Sequence, residues 1–348
     1  MSGPLDEKDR IATYDKSGAL EQILGLPIQI EEMLQREAGF EGRAEKVCVI
    51  GMGGSAIGAD MLLDYCAGVS EVPMGVVRGL EFPRWVDEDT LVIMVSYSGN
   101  TWEVLELFDD VLKRGSSVYG ITSGGKLLGL CEKHGVPHMK VPGGKQPRAA
   151  VGYLLGATGV VLDEAGVAPV RKDLARSVPA MTDLMQNLSP GVPTDLNTAK
   201  KLAMKLKGKV PVIYAPRTIR SVALRWMTQI NENAKMLAFS GEYPEMNHNQ
   251  IVGWVEGERC KEMVPVFLRA NVPNKKVSER MEISIQLIRE AKLESIVVEL
   301  SGRSPLETSL MGIALGDFVS FYLAMLRGVD PNPVNSISEL KKRTHPPA

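Results

Sequence analysis

The chain has 348 residues, 44% hydrophobic and 24% charged, with 40 Lys and Arg set against 42 Asp and Glu. That length suggests roughly two domains of about 150 residues each, and a net charge of −2 excludes the basic field of a nucleic-acid binder or a polybasic membrane patch. No apolar run is expected to reach the roughly 18 residues of a membrane-crossing helix.

The N-terminus, MSGPLDEKDR, is polar and acidic, unlike a signal peptide. Cys48, Cys66, Cys131 and Cys260 are too widely spaced for a disulfide framework, which suits a reducing, cytoplasmic location. Ala19 to Ala38 has helical spacing and is expected to break near Pro27, giving a helical lead-in over 1–39. Lys46 to Ile50 then predicts a buried strand, followed by the loop Gly51-Met-Gly-Gly-Ser-Ala-Ile-Gly58 and a helix over Met61 to Tyr65. Strands follow at Pro73 to Val77, Leu91 to Val95, Ser117 to Thr122 and, edge-like, Pro137 to Val141. The run Leu91 to Val95 is wholly apolar and rich in β-branched types, as in a strand buried on both faces. Helices are expected over Trp102 to Arg114, Leu127 to Lys133 and Arg148 to Glu164, which close a first domain at 40–165.

A Pro- and Ser-richer connector, 166–197, holds one helical stretch near Ala180 to Asn187. The alternation resumes over 198–348. Helices are expected at Thr198 to Leu206, Ser221 to Phe239, Val277 to Lys292 and Pro305 to Arg327, and strands at Val210 to Tyr214, Val264 to Leu268 and Ser295 to Glu299. Such alternation implies right-handed βαβ units and parallel sheets. The fold class is therefore α/β: two doubly wound αβα sandwiches, without repetition at the level of residue identity, facing each other across a cleft.

Chemistry-bearing residues gather where strands end. Ser96-Tyr-Ser98-Gly-Asn-Thr101 leads into a helix whose first N–H groups suit an anion; the same hydroxyls also suit ordinary helix capping. Gly51-Met-Gly53-Gly54-Ser55-Ala56 fits the dinucleotide pattern G-x-G-x-x-G/A. The ribose-binding acid expected after the second strand is absent, and Arg78-Gly79 stands there instead. An arginine could meet a 2′-phosphate, so an NADP-linked Rossmann enzyme stays open. Three hydroxyl- and glycine-rich loops, counting Thr122 to Gly125, favour a cup around one phosphate, as in a phosphosugar site. Cys131, His134 and His138 have loose metal spacing, but a structural zinc site wants four ligands, and no metal is expected. Arg217, Arg220 and Arg225 read equally as a basic patch near the cleft or as surface residues. Glu232 falls opposite the helical stripe of Ala223, Trp226, Met227, Ile230, Ala234 and Leu237, where a solvated glutamate is the default. Arg148 opens a helix, where a cation opposes the dipole.

Taken together, the Gly51 to Asp60 and Ser96 to Thr101 segments resemble the sugar isomerase (SIS) domain. Gln229-Ile-Asn-Glu-Asn-Ala-Lys235, Glu245-Met-Asn-His-Asn-Gln250, Gln146-Pro-Arg148 and Gly328-Val-Asp-Pro with Leu340-Lys341 are similar to the bifunctional phosphoglucose/phosphomannose isomerases of archaea and some bacteria. The resemblance covers nearly the whole chain. It implies two SIS domains and an aldose–ketose isomerase of carbohydrate metabolism, acting in glycolysis and gluconeogenesis. Glucose 6-phosphate and fructose 6-phosphate are interconverted through a cis-enediolate, with mannose 6-phosphate as a further substrate and no cofactor. It further implies Glu232 as base, His248 in ring opening, Arg148 at the developing oxyanion and Lys341 (or the adjacent Lys342) at the ring oxygen or a hydroxyl. Ser55, Ser96, Ser98 and Thr101 would hold the phosphate with the Gly53 and Gly54 backbone, and a homodimer would carry His248 into its partner's site. The family's threonine for mannose activity has no clear counterpart in Asp330-Pro-Asn-Pro-Val334. A non-catalytic phosphosugar-binding regulator is the alternative from another class; no basic DNA-binding module precedes Lys46.

Overall fold

Two short parallel sheets, each fed by the apolar strand runs, organise the computed structural model, which describes residues 3–258, 262–271 and 274–344. Cys260 lies outside the described residues. Helices α1 (Lys8–Tyr14), α2 (Ala19–Leu24) and α3 (Leu26–Leu34) come first. The first sheet holds β1 (Lys46–Gly51), β2 (Met74–Val77), β3 (Thr90–Val95), β4 (Ser117–Thr122) and β5 (His138–Lys140). Around it lie α4 (Ile57–Val69), α5 (Trp102–Glu106), α6 (Phe108–Lys113), α7 (Gly125–His134) and α8 (Val151–Glu164). Helices α9 (Val170–Asn187) and α10 (Thr198–Leu206) lead to the second sheet, β6 (Val210–Pro216), β7 (Phe239–Tyr243), β8 (Met263–Ala270) and β9 (Ile296–Leu300). With it come α11 (Arg220–Ala234), α12 (Gln250–Val255), α13 (Lys275–Glu290), α14 (Pro305–Arg327) and α15 (Asn335–Thr344).

The strand orders are β2-β1-β3-β4-β5 and β7-β6-β8-β9, all parallel. Both sheets therefore wind outward in two directions from a central pair. At that reversal the loops after neighbouring strands diverge, and a crevice opens at the carboxyl ends. In the first sheet that reversal lies between β1 and β3, paired from Lys46 with Thr90 to Gly51 with Val95.

Several elements depart from the sequence reading. The helix expected from Ser221 to Phe239 stops at Ala234; Lys235 takes a left-handed conformation and Phe239–Tyr243 forms the edge strand β7. Leu237, assigned to the apolar stripe, is an exposed residue beyond the helix. The expected connector carries α9 over 18 residues, with Pro179 inside it. Helix α14 also corrects the expectation about apolar runs. An 18-residue window there has a mean hydropathy of 1.6, yet 94% of it is buried against the protein's own helices. It is a core helix, flanked by α9, α10 and α11, and its all-round apolarity follows from having no solvent face.

The N-terminal segment is tied to this core by a buried ion pair. Lys200 on α10 is wholly buried and donates to Asp6 Oδ1 at 2.9 Å and to the carbonyls of Pro190 and Val192. Burial pushes the Asp6 carboxyl up, but bonds from Lys200, the Gly3 N–H and Thr194 outweigh it and lower the pKa to about 2 from 3.8. Asp6→Ala is expected to cost about 3 kcal/mol at neutral pH, because it strands a buried ammonium. The Asp6 contribution is present above its unfolded pKa and is lost as pH falls from 3.8 towards about 2. Urea unfolding of both proteins should therefore show the gap narrowing across that window.

Candidate active site

The Ser96–Thr101 loop lies at the reversal point because β3 is central and stops at Val95. Its hydroxyls bond one another: Ser96 Oγ sits 2.7 Å from Thr101 Oγ1 and accepts from the Thr101 N–H, while Ser98 Oγ accepts from the Asn100 N–H. Ser55, after β1, accepts from the Tyr97 N–H at 3.1 Å, which joins the two loops. Ser96 is fully buried and Ser55 nearly so, whereas Thr101 is half-buried and Ser98 exposed. The turn is tight at Gly99, whose φ is +67° and where a Cβ would lie 1.7 Å from the Gly124 carbonyl oxygen. The loop after β4 is thus packed directly on the loop after β3, with Leu127 N–H donating to the Gly99 carbonyl.

Gly54 links this cup to Arg148. A Cβ on Gly54 would sit 2.7 Å from the Arg148 backbone nitrogen, so only glycine lets the first loop close on the turn Pro147–Ala150 that carries the arginine. That turn, rather than a regular helix start, positions Arg148. Its side chain is buried and runs away from its own helix, α8, to the C-terminal end of α11. There Nε donates to Asn233 Oδ1 at 2.9 Å and Nη1 to Glu232 Oε2 at 3.2 Å, while Nη2 donates to the carbonyls of Pro331 and Asn332. The dipole penalty at the start of α8 is thereby exchanged for a favourable place at a helix C-terminus. Burial pulls the guanidinium down from its ordinary value, and Glu232 opposes that pull; an arginine stays charged in either case.

Glu232 is therefore covered on the face that helical periodicity assigned to solvent. Its side chain keeps 27% exposure beside a 6% exposed Arg148, so the carboxylate can still meet a ligand. Behind the pair, Arg225 makes a two-pronged ion pair with Asp317 and donates to the Arg148 carbonyl, and Gln229 also donates to Asp317. Arg220 instead pairs with Asp64 across the domain junction, and Asp64 also accepts from the Ser221 N–H at the start of α11. Of Arg217, Arg220 and Arg225, read equally as a basic patch or as surface residues, Arg225 is a buried strut, Arg220 an interdomain clamp and Arg217 an exposed residue. Arg78, weighed for a 2′-phosphate, is engaged through both terminal nitrogens by Asp60.

His248 and Lys341 lie elsewhere in the chain. His248 is exposed in the turn Glu245–His248 after β7, with Nε2 at 3.3 Å from Arg280 Nη1. Lys341 and Lys342 lie on α15, which buries no residue. No hydrogen bond or ion pair among the described residues joins either His248 or Lys341 to Arg148 or Glu232. Among those residues no group of three His, Cys, Asp or Glu is arranged to hold a metal. His134 packs on the Phe108 ring and His138 Nδ1 faces the Val136 carbonyl.

Composition and periodicity do not mark Asn233, Lys235 or the Pro331 and Asn332 carbonyls that complete this constellation. The one local signal is Lys235, which stands after a helix end where Gly or Asn is usual. As a whole, the arrangement can hold an anion at the strand ends. It also sets a carboxylate against a fixed cation, suited to proton transfer and to stabilising a developing oxyanion.

A family model described as bacterial phospho-glucose isomerase C-terminal SIS domain matches residues 195–344. A bifunctional phosphoglucose/phosphomannose isomerase of Caldicellulosiruptor bescii is 36% identical over 334 residues, covering 93% of this chain and 98% of the relative. One from Thermoplasma acidophilum is 34% identical over 317 residues, covering 90% and 94%. Among solved structures, a hypothetical protein from Thermus thermophilus superposes with a TM-score of 0.76 at 17% identity, over 98% of this chain and 94% of that one.

Proposed function

Because the chain belongs to the bifunctional phosphoglucose/phosphomannose isomerase family, we propose that the Glu232–Arg148 pair carries its chemistry. The protein is an isomerase of hexose 6-phosphates, interconverting glucose 6-phosphate and fructose 6-phosphate, and mannose 6-phosphate and fructose 6-phosphate. The observation that carries the mechanistic reading is the 3.2 Å contact between a buried guanidinium and a part-exposed carboxylate, one glycine-mediated step from the hydroxyl loops.

The phosphate dianion is held by the loop N–H groups and the hydroxyls of Ser55, Ser98 and Thr101, with Gly53 and Gly54 providing backbone. Ser96, fully buried, acts by ordering Thr101. Glu232 removes the proton from C2 of the open-chain aldose and returns it to C1 while the O2 proton passes to O1, so the carboxylate is regenerated, the carbonyl moves to C2 and no redox partner is consumed. The electron pair left by C2–H becomes the C1–C2 double bond, and negative charge builds on oxygen. Arg148, already desolvated and fixed by its bonds to Asn233, Glu232, Pro331 and Asn332, faces that charge without reorganising. A base placed between C1 and C2 serves both C2 epimers when the C2–C3 bond rotates, which accounts for the mannose activity.

Ring opening is assigned to the partner's His248 in a homodimer. Its exposure in the turn after β7 supports that assignment. Lys341 is assigned to the ring oxygen or a substrate hydroxyl. The buried free thiols Cys48, Cys66 and Cys131 suit a reducing compartment, and the cytoplasm is the proposed location.

The test is direct. Purified protein given fructose 6-phosphate should form both glucose 6-phosphate and mannose 6-phosphate, equally with and without EDTA. Absence of both products would refute the isomerase reading, and activity lost only in EDTA would refute the metal-independent one.

A further inference from the structure

Lys235 is a left-handed residue, with φ +53°, directly after α11. A side chain there is strained by about 1 kcal/mol relative to glycine, so the position calls for a reason to hold a lysine. The ammonium supplies one. Nζ donates to the Glu232 carbonyl at 2.5 Å and to the Pro331 carbonyl at 2.8 Å. The same Pro331 oxygen accepts from Arg148 Nη2 at 3.1 Å. Two cations therefore share one carbonyl, and the residue bearing the proposed base is tied through its own backbone to the segment that holds the proposed oxyanion cation.

Resting on the isomerase reading above, we propose that Lys235 is a positioning residue: its charged amine fixes the end of α11 against Asp330–Asn332 and so sets the Glu232 carboxylate relative to Arg148. The charged groups around it are Arg148, Glu232 and Asp330, together with Arg327, which donates to the carbonyls of Ala234 and Lys235. Lys235 as a whole is exposed, but partial desolvation of its amine and then Arg148 lower its pKa from 10.5 to about 8, and Asp330 and Glu232 oppose them. The protonated form predominates below that value. Above it a neutral amine keeps two N–H groups but loses charge assistance, which is worth about a factor of two in bond strength. Turnover should therefore decline as pH rises through about 8.

Three variants test this, with kcat and KM for fructose 6-phosphate measured from about pH 6.5 to about pH 10, a range that brackets the lysine's titration. Lys235→Met is expected to lower kcat about ten- to a hundredfold, the scale set by small misplacements of reacting groups. KM should stay within about threefold, because the phosphate loops are untouched, and the fall near pH 8 should disappear. Lys235→Arg should recover most of kcat and move the alkaline limb upward. Lys235→Gly suits the backbone and removes the amine; it should keep the thermal midpoint while losing kcat as Lys235→Met does. Full kcat with an unchanged alkaline limb in the Met and Gly variants would overturn the inference while leaving the isomerase reading intact. A wild type that turns over no hexose 6-phosphate would overturn both.

Discussion

Glu232→Gln is expected to lower kcat for every hexose 6-phosphate by about 10²–10⁴-fold, the range that a positioned acid–base group contributes. The amide keeps the size of the side chain and an oxygen that can still accept from Arg148 Nη1, now 3.2 Å from the carboxylate. What it loses is the capacity to take a proton from carbon. Binding of a hexitol 6-phosphate, which has no carbonyl to isomerise, should stay within several-fold, because the Ser55 and Ser98–Thr101 loops belong to the first sheet and Glu232 to the second domain. Calorimetry with that ligand separates the two effects. Incorporation of deuterium from D2O at C1 of fructose 6-phosphate should vanish with turnover. A variant that retains full kcat and exchange would show that another group is the base.

Removing the guanidinium at Arg148 is expected to be nearly as damaging, for a different reason. Arg148→Met should lower kcat by about 10²–10³-fold, the loss typical of one fixed oxyanion-stabilising donor. Arg148→Lys should recover only part of that. An ammonium keeps the charge but cannot reach Asn233, Glu232, Pro331 and Asn332 at once, as the planar fork does. Both variants strand buried acceptors, and a loss of about 1–3 kcal/mol in unfolding free energy is expected from the unmade bonds. Denaturant titration gives the second number and steady-state kinetics the first. If Arg148→Met loses stability yet keeps kcat, the residue is an interdomain strut and has no part in charge stabilisation.

The two predictions treat Arg148 and Glu232 as one unit, so their losses should not add. Removing the cation also removes the cover from the carboxylate, and residues acting together in catalysis are strongly non-additive. The double variant Arg148→Met with Glu232→Gln is expected to be hardly slower than Glu232→Gln alone.

The positions of most strands and of the long helices were legible from residue order. Thr198–Leu206, Ser117–Thr122 and Pro305–Arg327 fall where periodicity puts them, because each pattern is written within a few turns or pleats of chain. The hydroxyl loops were equally legible as strand-end features. Their joining was also anticipated, since adjacent parallel strands bring their carboxyl ends together. Less legible was the end of α11. Helices commonly announce their stop with Gly or Asn, and here the stop is Lys235, so the expected helix ran on through Phe239 and an edge strand was missed. The tail beyond Val334 likewise forms α15, which buries no residue and leaves Ile337 and Leu340 exposed.

By itself, then, the sequence determined the architecture of two parallel α/β units, the loops that end their strands and the residues available for chemistry. All of these follow from short-range periodicity and residue type. Only the tertiary structure decided which side of α11 is covered. The helical pattern leaves Glu232 facing away from its own core, and a side chain from the other domain, Arg148, lies over it. That pairing has no local signature. A face is buried or exposed according to what a distant segment lays on it, and Gly54, Arg148 and the Asp330–Asn332 segment meet there only after both sheets have packed.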